Sequence, residues 1–402
     1  MPIVAQDRYH AFDAVRAFAL LAGIVQHGSM SFVAVSSPVQ DVSQSWILSV
    51  TYYVIHIFRM GLFFMIAGFF ARILLYRRGT RAFVQDRLMR IFVPMVVGWC
   101  IFGTLAIVIL HWGIARTSGP SNSVPWGFTF LHFWFLYYLI IFYVLALTLR
   151  EAFDGLIDRN GRIRRAIDTI VHGATSSYTA PIILAAPLFV VLLHRNEAWN
   201  MWFGIPTPHG FGPEVAALVG YGSAFGFGWF LHRQTKLLGR WQASWHIHLS
   251  IGVILTAMCL SIVGIDPKSA TTVPAWSRIA YALFYTTAIW FWTFGILGVA
   301  LRFCSQESQV RRYLADSSYY LYLAHLPVIF FLQAALATVP LHWAVKFPLI
   351  LVIGLTVLFV GYHYWIRPTF IGALLNGRKY PRREAARARP ESAGIPRTLP
   401  GH

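Results

Sequence analysis

Imidazole and guanidinium groups sit inside apolar stretches of this chain, where ionised side chains are costly and usually face a bundle interior with a task to perform. The first such stretch carries Asp13, Arg16 and His27. Arg16 and His27 are 11 residues apart, three helical turns, so they share a face with roughly 16 Å between them along the axis. Asp13 lies one turn before Arg16 and can pair with it. Leu20 and Gly23 fall on the same stripe, and Gly23 leaves room beside it. The second stretch runs the other way and holds His56 and Arg59, one turn apart and at a depth similar to His27. The fourth opens HFWFLYYL, with His132 and Trp134, and the ninth, DSSYYLYLAHLPVIFF, holds His325. A neutral imidazole accepts a proton near pH 7. A guanidinium grips carboxylate or phosphate at two points. Plainer readings exist for each residue taken alone: a histidine hydrogen-bonded between helices, an arginine reaching outward, an aromatic belt at the interface. Converging from two helices, His27, His56 and Arg59 point to proton or anion chemistry.

The elements that must position these groups are set by composition. Of 402 residues, 57% are hydrophobic and only 12% charged, too little polar surface for a water-soluble globule of this size. An all-α polytopic membrane bundle resolves the mismatch, because hydrocarbon requires the backbone to satisfy its own hydrogen bonds. A span needs about 20 apolar residues. Ten stretches qualify, near 12–34, 50–71, 91–113, 129–149, 180–194, 214–232, 246–264, 278–302, 317–337 and 346–366. The fifth is short and carries Pro181 and Pro187; Pro94 and Pro327 start or kink their spans.

Positive charge alternates along the gaps. The first tail, the even-numbered gaps and the last tail hold 26 of the 33 Lys and Arg residues. They include Arg77, Arg78, Arg81, Arg150, Arg233, Arg240, Arg311 and Arg312. The odd-numbered gaps hold only Arg116, Arg195, Lys268, Arg278 and Lys346. By the positive-inside rule both termini are expected in the cytoplasm. A net charge of +18 distributed this way is loop charge and implies no nucleic-acid partner. The chain reads as one transmembrane domain over 1–377 and a basic, disordered cytoplasmic tail over 378–402. Cys100, Cys259 and Cys304 show no CxxC spacing, which argues against disulfides and a zinc site. No cleavable signal peptide is expected, because the first apolar run carries charges and lacks a small-residue exit.

The second cytoplasmic gap, RRGTRAFVQDRLMRIFVP, sets Arg87 and Arg90 one turn apart at the start of the third helix. The pair suits a polyphosphate such as a coenzyme A ester, or simply anionic lipid headgroups.

FDAVRAFALLAGIVQH, FRMGLFFMIAGFF, FVQDRLMRIFVP, HFWFLYYL and SSYYLYLAHLPV together resemble, in this order, the membrane acyltransferases called acyltransferase 3. The resemblance spans most of the chain. It implies a catalytic role at His27, with Arg16 and Asp13 in the same motif, and a donor-binding role at Arg87 and Arg90. The compact form is most similar to members associated with succinyl transfer to periplasmic glucans. That implies succinyl-coenzyme A as co-substrate, no tightly bound cofactor or metal, and the bacterial inner membrane as location. Arg59, His56, His132, Trp134 and His325 are then expected around the substrates, with Arg59 placed to hold a succinyl carboxylate or an oxyanion. Acetyl transfer to another envelope polysaccharide, a transporter or flippase, and a non-catalytic membrane subunit are the other readings the sequence leaves open.

Overall fold

A computed structural model describes residues 5–34, 37–117, 127–152, 169, 173, 179–195, 199–234, 236–267 and 274–376. The tail expected over 378–402, Lys268 and the loop arginines at 159–165 lie outside them. The described residues form helices α1 (Ala5–Ser29), α2 (Trp46–Arg87), α3 (Val93–Gly98), α4 (Thr104–Thr117), α5 (Trp134–Ala152) and α6 (Ala180–Leu193). They continue with α7 (Val215–Leu231), α8 (Lys236–Val263), α9 (Ala275–Phe303), α10 (Gln309–Leu336), α11 (Trp343–Val360) and α12 (Phe370–Asn376). No strand occurs among them. Each of the ten predicted stretches is helical over most of its length. Among the described residues six helical stretches are long and apolar enough to cross a membrane, one of them, Trp46–Thr117, covering both the second and third predicted spans, while α1, the first predicted span, is not among the six. Ala180–Leu193 and Val215–Leu231 are shorter apolar helices. The chain is thus an all-α, multi-pass membrane protein.

The polarity of the bundle follows its arginines. Arg87, Arg90 and Arg150 gather at one end, called here the basic end; Lys346 lies at the other. At the basic end α2 runs on past the apolar stretch and bends at Gly79, whose φ of 75° falls in the left-handed region that only glycine adopts cheaply. The chain then re-enters the bundle through two π-helical turns, Leu88–Phe92 and Trp99–Gly103. Such turns shift the side-chain register and recur at functional sites. α2 crosses α7 with the backbones in contact. A Cβ on Gly68 would lie 2.0 Å from the carbonyl oxygen of Phe225, and one on Gly228 would lie 1.9 Å from that of Met65. Small residues permit this approach, which lipid-solvated helices use in place of a hydrophobic driving force.

α5, α6 and α7 have 19, 14 and 17 residues against 29 and 28 in α9 and α10. At 1.5 Å per residue the first three reach only about 21–29 Å. The space above them is filled by chain outside the α-helices, 127–133 and 199–214, with short 3-10 turns at Leu131–Phe133 and Met201–Phe203, tied to the top of α5. The Tyr137 hydroxyl donates to the Phe211 carbonyl (2.9 Å), the Glu214 amide to the Tyr138 hydroxyl (2.8 Å), and the Phe130 amide to the His209 carbonyl (2.7 Å). Phe130, Trp199, Met201 and Trp202 bury part of this irregular backbone in protein, where it is tolerated at membrane depth, whereas residues 209–213 are exposed.

At the end opposite the arginines, Lys346 of α11 donates to both carboxylate oxygens of Asp41, at 2.8 and 2.9 Å, with both side chains buried. Asp41 also accepts from the Ser43 amide, and its own amide donates to the Ser31 carbonyl. The pair clamps the α1–α2 connector onto α11. Breaking a buried pair from one side leaves an uncompensated charge. Lys346→Met should therefore cost about 3–5 kcal/mol, read as a lowered melting temperature in detergent. Adding Asp41→Leu should restore most of the loss.

Candidate active site

Five elements converge on one cavity of about 340 Å³: α1, α2 with the turn that follows it, α5 with the 131–133 turn, α10, and the end of α12. Its basic end is lined by Arg16, Arg87, Arg90, Asp316, Ser318 and Tyr319, and its deep end by His27, Arg59, His132, Trp134, Tyr322 and His325. One open-mouthed cavity therefore joins the two groups that the sequence set on different helices.

At the basic end Arg16 pairs with Asp13 at 3.1 Å and also donates to the Ala315 carbonyl at 3.1 Å, so α1 is pinned to α10 through its motif arginine. Asp86, a residue the sequence reading passed over, sits between Arg87 (2.7 Å) and Arg90 (3.4 Å). It holds both guanidiniums on one side and leaves the group with a positive balance. Arg87 is fixed further by a hydrogen bond to the Tyr143 hydroxyl at 3.2 Å, and the Arg90 carbonyl accepts from Tyr319 at 2.6 Å. Polyanion recognition needs pre-aimed donors of this kind.

The deep end holds three imidazoles in a row. The rings of His27 and His325 have centroids 5.1 Å apart, and those of His325 and His132 4.9 Å. Their tautomers follow from what they touch, because a carbonyl oxygen only accepts. His325 donates through Nδ1 to the Tyr322 carbonyl at 2.8 Å, and His132 through Nε2 to the Leu323 carbonyl at 3.3 Å. His27 Nδ1 lies 3.3 Å from the Met30 thioether sulfur, which has only lone pairs to offer. Each neutral ring is left with one acceptor nitrogen, the form a general base requires. His132 Nδ1 is buried with no partner. The three rings do not group as metal ligands.

His132 owes its aim to Leu131, whose φ of 47° costs an L-residue about 1–2 kcal/mol. Desolvation lowers the pKa of His209 below the ordinary histidine value, with the backbone of Leu131 partly opposing. His209 lies in a loop outside every apolar stretch, so no periodicity could mark it.

Arg59 is the uncompensated charge. Its Nε is buried without a hydrogen-bond partner, and among the described residues no carboxylate pairs with it. It lies across α1 where Gly23 lacks a side chain: a Cβ there would come within 2.5 Å of its Nη1. The room expected beside Gly23 is taken by this guanidinium. His56 shares Arg59's helix but does not line the cavity. It is bonded to Gln26 Nε2 at 3.1 Å and to the Phe203 carbonyl at 2.9 Å. Its Nδ1 is taken by α1 and its Nε2 by the loop 199–205, so in this structure it joins α2 to both instead of facing the cavity.

A family model described as an acyltransferase domain matches residues 9–363. Proteins named "Glucans biosynthesis protein C" from Salmonella paratyphi B, Salmonella heidelberg and Salmonella agona are each 28% identical over 149 residues. That match covers 35% of this chain and 38% of each relative. No solved structure matches the chain.

An isolated cation in an apolar bundle is retained at the expense of stability. Arg59→Met should therefore raise the melting temperature in detergent by about 2 °C or more. A fall would mean that the guanidinium is satisfied after all.

Proposed function

The chain belongs to the acyltransferase 3 family, and from that premise we propose that it transfers a succinyl group from succinyl-coenzyme A to a hydroxyl of a periplasmic glucan. The acceptor class rests on the name that the similar Salmonella proteins carry. In this reading the chain sits in a bacterial inner membrane with the basic end and both termini in the cytoplasm. The observation that carries it is the single cavity running from Arg87 and Arg90 to His27 and Arg59. Arg87 and Arg90 hold the phosphates of the donor, and the thioester arm extends along the cavity toward the imidazoles. The acceptor approaches from the opposite end, past the loops that carry His132 and His209.

The chemistry follows from the groups at the deep end. The sugar hydroxyl attacks the thioester carbonyl carbon as His27 takes its proton, so that a C–O bond forms without a free alkoxide. The carbonyl oxygen gains negative charge beside Arg59, whose guanidinium has no other anion to satisfy. The intermediate collapses with loss of the C–S bond, and the thiolate recovers a proton from the His27 imidazolium. A distal succinyl carboxylate gives Arg59 a second use in the bound donor. A covalent acyl-His27 intermediate would reach the same products in two steps. Acetyl transfer would use the same cavity without the carboxylate contact.

Purified protein given isotopically labelled donors and neutral glucan tests the assignment. Product should gain about 100 Da for succinyl, against about 42 Da for acetyl. His27→Ala should slow transfer by about 10²–10⁴-fold; wild-type rates would remove its role. Arg59→Ala should hurt succinyl transfer more than acetyl transfer, and equal losses would leave only the oxyanion role. Arg87→Gln should raise KM for the donor about tenfold or more, the worth of a charge-assisted hydrogen bond, and leave kcat nearly unchanged.

A further inference from the structure

α5 separates two hollows. Leu136, Leu139 and Tyr143 face the cavity described above, whereas Phe142, Leu145, Ala146 and Leu149 line a groove of about 660 Å³ between α5 and α7. The opposite wall is α7, where Gly222 and Gly226 lie one turn apart. A side chain added at Gly226 would meet nothing within 4 Å, so that stretch of the groove is open space. The groove opens to the outside of the bundle: Leu145 and Leu149 are 50% and 49% exposed, on a surface that faces lipid.

The groove is apolar along its length and cationic at one end. Arg72, Arg150 and Arg233 close it at the basic end, around Tyr76. The Arg72 guanidinium stands 4.9 Å from the Tyr76 ring centroid and that of Arg150 5.8 Å from the same ring. Arg72 is 4% exposed and is braced by the Trp229 carbonyl and the Tyr76 hydroxyl, at 3.4 and 3.3 Å. No imidazole, thiol or carboxylate lines this space, so it lacks the means for acyl transfer.

We propose that this groove binds one anionic phospholipid from the leaflet at the basic end. Its phosphate lies among Arg72, Arg150 and Arg233, and one acyl chain lies along the floor made by Gly222 and Gly226. The charge distribution selects this occupant. Guanidinium forks match phosphate oxygens, and apolar walls reject a soluble polyanion along the remaining length. A zwitterionic lipid offers the same phosphate but brings a cation to the arginines. The bound chain would press on α5 from the face opposite Tyr143, the residue that fixes Arg87.

The test needs no transfer assay and stands apart from the acyltransferase reading. Delipidated protein in mild detergent would be offered phosphatidylglycerol and phosphatidylcholine in equal amounts and examined by native mass spectrometry. One phosphatidylglycerol adduct should survive activation, favoured over phosphatidylcholine by about tenfold or more. Gly226→Leu fills the groove without touching a charge and should abolish the adduct. Arg150→Gln with Arg233→Gln, at the rim, should abolish the preference while the melting temperature stays near wild type. Equal retention of the two lipids by the wild type, or an unchanged preference in Gly226→Leu, would overturn the proposal.

Discussion

A guanidinium without a counter-ion inside an apolar bundle is the constraint around which the other parts are arranged. Arg59 needs a helix that yields space, and Gly23 on α1 yields it. It needs shielding from lipid, which the packing of α2 against α1 and α7 provides. It also needs an anion at some stage of the protein's work, because a permanently unsatisfied charge is a net cost. The three imidazoles lie close by as neutral acceptors, so the region combines one fixed positive charge with several sites for a proton. That combination suits a reaction that develops negative charge on oxygen while a proton leaves.

The two ends of the cavity differ in how their charges are managed. At the basic end each arginine is matched and aimed by a neighbour: Arg16 by Asp13, Arg87 and Arg90 by Asp86. These pairings hold the guanidiniums in fixed orientations. At the deep end order comes from geometry instead, through the left-handed backbone at Leu131 and carbonyl bonds to His132 and His325. Short α5, α6 and α7 let the opposite loops descend to meet that end. The buried Lys346–Asp41 pair holds the far rim against α11. α5 forms a wall of both the cavity and the lipid-facing groove, with Tyr143, the partner of Arg87, on the cavity side.

Relations within one helix were legible in the sequence. The Asp13–Arg16 pair, the shared stripe through Gly23 to His27, and the Arg87–Arg90 spacing follow from a period of 3.6 residues. Apolar run length placed the helices. Relations between helices were not legible. Lys346 and Asp41 are 305 positions apart and carry no local sign of each other. Nothing in the HIFR run marks His56 as an anchor for Phe203, since that role depends on a loop some 147 positions away. His209 and the backbone at Leu131 belong to irregular chain, where no repeat constrains direction. Asp86, beside Arg87 and one turn before Arg90, stands in an i,i+4 relation of the same local kind as the legible ones.

The central claim is that one bundle passes an acyl group from a donor on one side of the membrane to an acceptor on the other. Sealed proteoliposomes with uniformly oriented protein measure this directly, with labelled succinyl-coenzyme A confined to the compartment facing the basic end and glucan confined to the other. The account predicts acylated glucan while the coenzyme A moiety stays in the donor compartment. Product that forms only when donor and acceptor share a compartment would contradict it.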